Sequence, residues 1–239
     1  MIENHIFDLY GTLVDIHTDE NQTSLWRRMA LMLSLHGANY APAELKQAYH
    51  DAVEQQIEGR TAQFPAIYKA YIEPDILPAF EMLYVQKGVS VSIDRLQDTA
   101  VLFRTLSMKH IRLYPEAMAV LKALRNRGQG VYLLSNAQAA FTVPELKMLG
   151  LYELFNGIVL SSDAGVKKPD TAIFRHILSK YGLRPETCLM VGNDEEADIV
   201  GAATAGMAGR YIHTKQSPPR RNILPPSCTE ITSLKDLLR

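Results

Sequence analysis

Five short apolar runs recur along the chain, each ending in polar residues. They lie around Ile6 to Leu9, at "GVYLLSN" from Gly130, "GIVLSS" from Gly157, "CLMVGN" from Cys188 and "GRYIHT" from Gly209. Unbroken apolar runs suit strands buried on both faces, because a strand with one wet face alternates. Helical patterns separate them; "PEAMAVLKALRNRG" has proline in its first turn and stops at Gly128. The alternation predicts an α/β fold with a doubly wound parallel sheet.

The first gap breaks this rhythm. About a hundred residues part the first run from the second, and they read as helices throughout. "TSLWRRMALMLSLHG" places Leu25, Met29, Met32 and Leu33 on one face, and "PAELKQAYHDAVEQQI" and "SIDRLQDTAVLFRTL" share its period. An all-helical insertion is expected over residues 16–108, leaving 1–15 and 109–239 as the sheet-bearing core. It starts directly after the first strand end, where it can cover the mouth of the sheet.

The length of 239 residues, with 47% hydrophobic and 21% charged residues, suits a globular core plus a smaller inserted body. Net charge is −1 and no basic run can track a phosphate backbone, so nucleic acid is not an expected partner. The nearest basic stretch, Pro218 to Arg221, reads as a surface loop. Apolar stretches fall short of the roughly 20 residues that span a bilayer. Cys188 and Cys228 have no metal-like spacing, and no secretory leader is apparent, which points to a reducing cytoplasm. Nothing in the sequence specifies an oligomeric state.

In an open α/β sheet ligands bind at the carboxyl ends of the strands. The residues found there are Asp8, Ser135 with Asn136, Lys168, and Asn193-Asp194 with Asp198. Taken singly, each has an ordinary role as a turn former, a helix cap or a solvated charge. At successive strand ends they form one constellation. A carboxylate can form a covalent ester with a phosphoryl group or an alkyl carbon when the developing charge is stabilised. Ser135 and Lys168 can supply that stabilisation, and the turn Leu9-Tyr10-Gly11, followed by Thr12, offers backbone N–H groups to the same oxygens. Asp194 and Asp198 beside Asp8 would repel one another unless a cation lay between them, and Mg²⁺ suits such a site.

With "FDLYGTLVD", "LLSN", "VKKPD" followed by "IF", and "VGNDEEADIVGAATAGM" in this order, the chain resembles the haloacid dehalogenase (HAD) superfamily from Asp8 to about Met207. The resemblance implies a Rossmann-like core with a helical cap, a nucleophilic Asp8 and substrate contacts from Ser135 and Lys168. It also implies Mg²⁺ held by Asp8, the backbone carbonyl of Tyr10 and the fourth motif. Two positions depart from the commonest phosphatase pattern. Tyr10 stands where a second aspartate serves as proton shuttle, and family dehalogenases carry a tyrosine there. Asn193 stands where the first fourth-motif acid is usual, so either it replaces that acid or Asp194 and Asp198 form a shorter-spaced pair, the arrangement expected here.

Three readings follow. The first is a Mg²⁺-dependent phosphatase of a small phosphorylated metabolite, with Tyr10 or a cap residue replacing the shuttle. The second is a metal-independent 2-haloacid dehalogenase, which Tyr10 favours and the fourth-motif acids disfavour. The third is a weakly active or regulatory binding protein of the same fold. Cap residues His17, Asp19, Arg27, Arg28 and Arg60 are candidates for specificity. The cap is expected to hinge near Asp15 and Lys109 to Leu113.

Overall fold

The computed structural model describes residues 1–64, 69–221 and 224–239. Six parallel strands form the sheet: β1 (Asn4–Phe7), β4 (Gly130–Ser135), β5 (Gly157–Leu160), β6 (Cys188–Gly192), β7 (Ala208–Ile212) and β8 (Cys228–Ile231), in the order β5-β4-β1-β6-β7-β8. The five apolar runs form the first five of these strands. The sixth adds an edge that the runs do not announce.

Neighbouring residues of a strand point to opposite faces, and each face has its own apolar layer. Phe7, Leu133 and Val191 pack with Val120, Leu121 and Leu124 of α5 (Ala117–Asn126). Ile6, Leu134 and Met190 pack with Ile173, Phe174 and Ile177 of α7 (Thr171–Tyr181). From β1 the chain builds outward on one side through β4 and β5, then crosses to β6 on the other. The carboxyl end of β1 is therefore the topological switch point, where an open sheet leaves a crevice.

The insertion is helical, with α1 (Thr23–Leu35), α2 (Pro42–Gln63), α3 (Leu77–Val85) and α4 (Ile93–Ser107). It is carried on an antiparallel ribbon of β2 (Val14–Thr18) and β3 (Met108–Leu113), which spans the junctions expected at residues 15/16 and 108/109. Its core gathers Leu25, Trp26, Met29, Tyr49, Phe80, Tyr84 and Phe103. That layer continues into Ala140 and Phe141 of the core helix α6 (Ala139–Met148), with the Phe103 and Phe141 rings stacked 6.2 Å apart. A second junction lies over the Lys168 loop. Ile72 bridges Val166, Lys167 N–H donates to Tyr71 C=O at 2.8 Å, and Gln138 Nε2 donates to Glu73 Oε1 at 2.6 Å. The cap is thus fastened by side chains and backbone at two places beyond its ribbon. No helix among the described residues is long and apolar enough to cross a membrane.

Phe103 is fully buried where the cap layer meets α6. Phe103→Ala is expected to destabilise the protein by about 3–5 kcal/mol in urea unfolding, the cost of an aromatic cavity; a loss below about 1 kcal/mol would contradict the shared layer.

His5, in β1, is 3% exposed, and its Nδ1 has no hydrogen-bond partner among the described residues. Burial, followed by the charge of Arg210, pushes its pKa down to about 4. In the unfolded chain His takes a proton near ~6.5, so between these values the unfolded state holds more protons. Stability should rise with pH through this window and be lost as pH falls from about 6.5 toward 4. Replacing His5 by Leu removes this contribution, so the gap between variant and wild type should change by up to about 3 kcal/mol across the window. Parallel pH profiles would contradict it.

Candidate active site

Asp8 follows β1 directly, and its N–H donates to Val191 C=O at 2.9 Å, holding it in line with the sheet. The chain then turns sharply. Leu9 C=O accepts the N–H groups of Thr12, Leu13 and Val14 at 3.2, 2.8 and 2.9 Å. Gly11 has φ +86, and a Cβ there would lie 2.4 Å from Asn193 Nδ2, so glycine alone fits. Of the three N–H groups expected to cradle an anion, that of Gly11 is used on Val14 C=O. Those of Leu9 and Tyr10 have no partner among the described residues and stay available.

Lys168 organises the crevice. Its ammonium, 3% exposed as a residue, donates to Asp8 Oδ1 at 2.8 Å, Asp198 Oδ1 at 2.6 Å and Leu134 C=O at 2.9 Å, which uses all three of its hydrogens. Asn136 holds the Lys168 backbone from both sides, Oδ1 accepting its N–H at 2.8 Å and Nδ2 donating to its C=O at 3.0 Å. Ser135 Oγ lies 3.2 Å from Asp8 Oδ1. Thr12 Oγ1 lies 3.2 Å from Asp8 Oδ2 and 3.1 Å from Asn193 Oδ1, so its single hydrogen serves one of them at a time.

Lys168 thus lies between Asp8 and Asp198 and offsets part of the repulsion expected there. The two fourth-motif acids also have separate tasks. Asp194 Oδ1 accepts the N–H groups of Glu196 and Ala197, both at 2.9 Å, capping the π-helix Glu195–Val200. Asp198 reaches back to Lys168 and accepts Asp194 N–H on Oδ2 at 3.0 Å. It can lie so close because β6 ends in Gly192, where a Cβ would meet Asp198 Oδ2 at 2.2 Å. Burial raises the Asp198 carboxyl to about 7, Lys168 opposing the shift and Asp8 adding to it. Burial also works against the Lys168 ammonium, but Asp198 and Asp8 outweigh it and raise its pKa. Three hydrogen bonds on Nζ hold the lysine in its charged form.

Tyr10 borders the same crevice, yet its hydroxyl is engaged on α6. It donates to Glu145 Oε2 at 2.5 Å, with Thr142 Oγ1 at 2.9 Å. Burial and the Glu145 carboxylate push the phenol above its ordinary range, so it keeps its proton at working pH.

Asp8, Tyr10, Ser135, Asn136, Lys168, Asn193, Asp194 and Asp198 line one pocket of about 180 Å³, which Gln216 and Pro218 also close. A neighbouring pocket of about 440 Å³ shares Asn136, Lys168 and Asp194 and adds Tyr71, Glu73, Lys167 and Glu196. His17, Asp19, Arg27, Arg28 and Arg60 line neither. Arg27 and Arg28 are exposed on α1, and Arg60 lies against Gly165. The sequence reading missed the strap after β7. Thr214 Oγ1 donates to Gly11 C=O at 2.8 Å and Gln216 Nε2 to Asp15 Oδ1 at 2.9 Å, fastening the strap to the turn after Asp8 and to the start of β2. These residues follow the end of the fifth apolar run, so the strand-end rule that found the others points to them too.

A glyceraldehyde 3-phosphate phosphatase of Pyrococcus abyssi is 27% identical over 241 residues, all of this chain and 93% of that protein. A phosphoserine phosphatase of Thermus thermophilus is 36% identical over 100 residues, spanning 42% of this chain and 40% of its own length. The solved 2-haloacid dehalogenase of Pseudomonas syringae superposes with a TM-score of 0.66 at 19% identity, covering 100% of this chain and 97% of that one, which is a likeness of fold. The pattern of haloacid dehalogenase-like hydrolases matches residues 3–206, the span that carries the Asp8 turn, Ser135, Lys168 and the acidic end of β6, and the chain belongs to that family.

Proposed function

We propose that the chain is a phosphoric monoester hydrolase acting on a small phosphorylated metabolite, with Asp8 as nucleophile. The observation that carries this reading is the convergence on one small pocket of Asp8, the Lys168 ammonium and the Ser135 hydroxyl, beside a turn whose Leu9 and Tyr10 N–H groups have no partner among the described residues. A carboxylate oxygen of Asp8 attacks phosphorus as the bond to the leaving oxygen breaks, giving an aspartyl phosphate. Water then attacks the same phosphorus, releases inorganic phosphate and restores Asp8, the proton it loses balancing the one that the leaving oxygen takes from solvent. The charge that develops on the phosphoryl oxygens meets Ser135, the Leu9 and Tyr10 N–H groups and the field of Lys168. Lys168 acts chiefly as a fixed charge, since its hydrogens are already committed. The pocket of about 180 Å³ suits the phosphoryl group, and the adjoining one of about 440 Å³ suits a leaving group of a few carbons. The two phosphatase relatives support the same reaction class.

Mg²⁺ fits the chemistry of the remaining donors. Asp8 Oδ2, the Tyr10 carbonyl, Asn193 Oδ1 and the outer oxygen of Asp194 are hard oxygens. A cation held by so few protein groups keeps several waters. When bound, it would offset charge on the transferring phosphoryl group. Asn193 supplies a neutral oxygen where a carboxylate would attract more strongly. Mg²⁺ should therefore bind weakly. In calorimetric titration Asn193→Asp should tighten binding on the order of tenfold, and unchanged affinity would remove Asn193 from the ligand set.

Tyr10 and Asn193 together favour a second reading, a metal-independent 2-haloacid dehalogenase in which Asp8 attacks the halogen-bearing carbon. A panel of phosphate monoesters and 2-chloropropionate separates the two. Phosphate release that Asp8→Asn lowers by roughly 10⁴-fold or more is expected. Halide release without metal, and no phosphate release from any ester, would replace the phosphatase reading with the other.

A further inference from the structure

Glu145 is 5% exposed on α6, a helix otherwise packed through Ala140, Phe141 and Leu146. One of its oxygens accepts the Tyr10 hydroxyl at 2.5 Å, and the other accepts Arg104 Nε at 2.6 Å. Three bodies meet at this carboxylate. Tyr10 belongs to the nucleophile turn, two residues from Asp8. Arg104 belongs to cap helix α4. Glu145 itself stands on the core helix between them. Arg104 also lies over the Tyr10 ring, 5.6 Å from its centroid, and over Phe141 at 5.4 Å. With the Tyr10 hydrogen given to Glu145, the Thr142 hydroxyl donates to the phenol oxygen at 2.9 Å, so the hydroxyl is fixed on both sides.

We infer that Glu145 is a positioning residue that couples the placement of the cap to that of the nucleophile turn. The turn is stiff, because Leu9 C=O accepts three N–H groups and Gly11 N–H closes on Val14 C=O. A displacement of the Tyr10 ring is therefore passed to the Leu9 and Tyr10 N–H groups and to Asp8. The carboxylate is the shared anchor. An amide in its place keeps the volume but removes the charge that faces Arg104, leaving a nearly buried guanidinium short of its partner. The ring of Tyr10 then loses its fixed hydroxyl and the cation stacked on it at the same time. This accounts for a tyrosine at the turn without giving it a proton to move.

The test uses the full-length protein and two readouts. One is hydrogen exchange over α4 and residues 9–14. The other is turnover of p-nitrophenyl phosphate per folded molecule, and only this arm rests on the phosphatase reading. Glu145→Gln should speed exchange in both segments and lower kcat by roughly 10- to 100-fold with KM within about twofold, the pattern of a misplaced nucleophile. Glu145→Asp should recover part of the loss. Tyr10→Phe, which removes one hydroxyl and leaves the core volume intact, should speed exchange in α4 although it lies outside the cap, and should add nothing in the Glu145→Gln background. If Glu145→Gln does not fold, Tyr10→Phe alone carries the test through α4 exchange. Unchanged exchange in residues 9–14 when α4 loosens, unchanged α4 exchange in Tyr10→Phe, or losses in kcat that multiply in the double variant would each overturn the coupling. If the wild type turns over no phosphate ester, the functional reading fails while the exchange arm still decides this one.

Discussion

The ammonium of Lys168 lies between two buried carboxylates and a strand-end carbonyl, and the arrangement of the crevice follows from it. Without this charge Asp8 and Asp198 would face each other in a region of low dielectric, at a cost that burial of both makes severe. With it, each acid has an ionic partner and further hydrogen bonds. Three elements are thereby tied together: the end of β1 through Asp8, β4 through the Leu134 carbonyl and the π-helix that follows β6 through Asp198. Asn136 fixes the lysine backbone from β4 as well, so the charge is placed by the sheet and not by a flexible loop. A network this fully satisfied is rigid, which is what preorganised stabilisation of a developing charge requires.

The cap is joined to this core at elements that border the crevice. The segment Tyr71 to Glu73 pairs with the loop leading into Lys168, and α4 packs on α6 beside the turn that follows Asp8. The cap therefore meets the loop carrying the fixed cation and the helix holding Tyr10. Its motion is constrained by more than the β2 and β3 ribbon, and any opening must break the Arg104–Glu145 pair or slide the Phe103–Phe141 contact.

Much of the core was legible because strands buried on both faces leave unbroken apolar runs, and because polar residues at their carboxyl ends share one edge of the sheet. Strand β8 was not legible, since "CTEI" buries only its two end residues and reads as a loop. The ribbon was hidden for the same reason, with His17, Lys109, His110 and Arg112 exposed along it. At the site, residue type was readable and assignment was not. Asp194 and Asp198 stand i and i+4 apart in either role, and only the fold shows that one caps a helix and the other meets Lys168. Glu145 and Arg104 lie 41 residues apart with no local pattern linking them. The only signal was a lone carboxylate in the apolar run "AAFTVPEL", and an exposed glutamate would have looked identical.

The central claim is that Asp8, held by Lys168 and Ser135, forms the covalent intermediate. Rapid acid quench during turnover of p-nitrophenyl phosphate, followed by peptide mass mapping, tests it most directly. The account predicts a phosphoryl group on the peptide containing Asp8, absent when Asp8 is replaced by Asn. Steady phosphate release with no phosphorylated Asp8 peptide, and with turnover surviving Asp8→Asn, would contradict it.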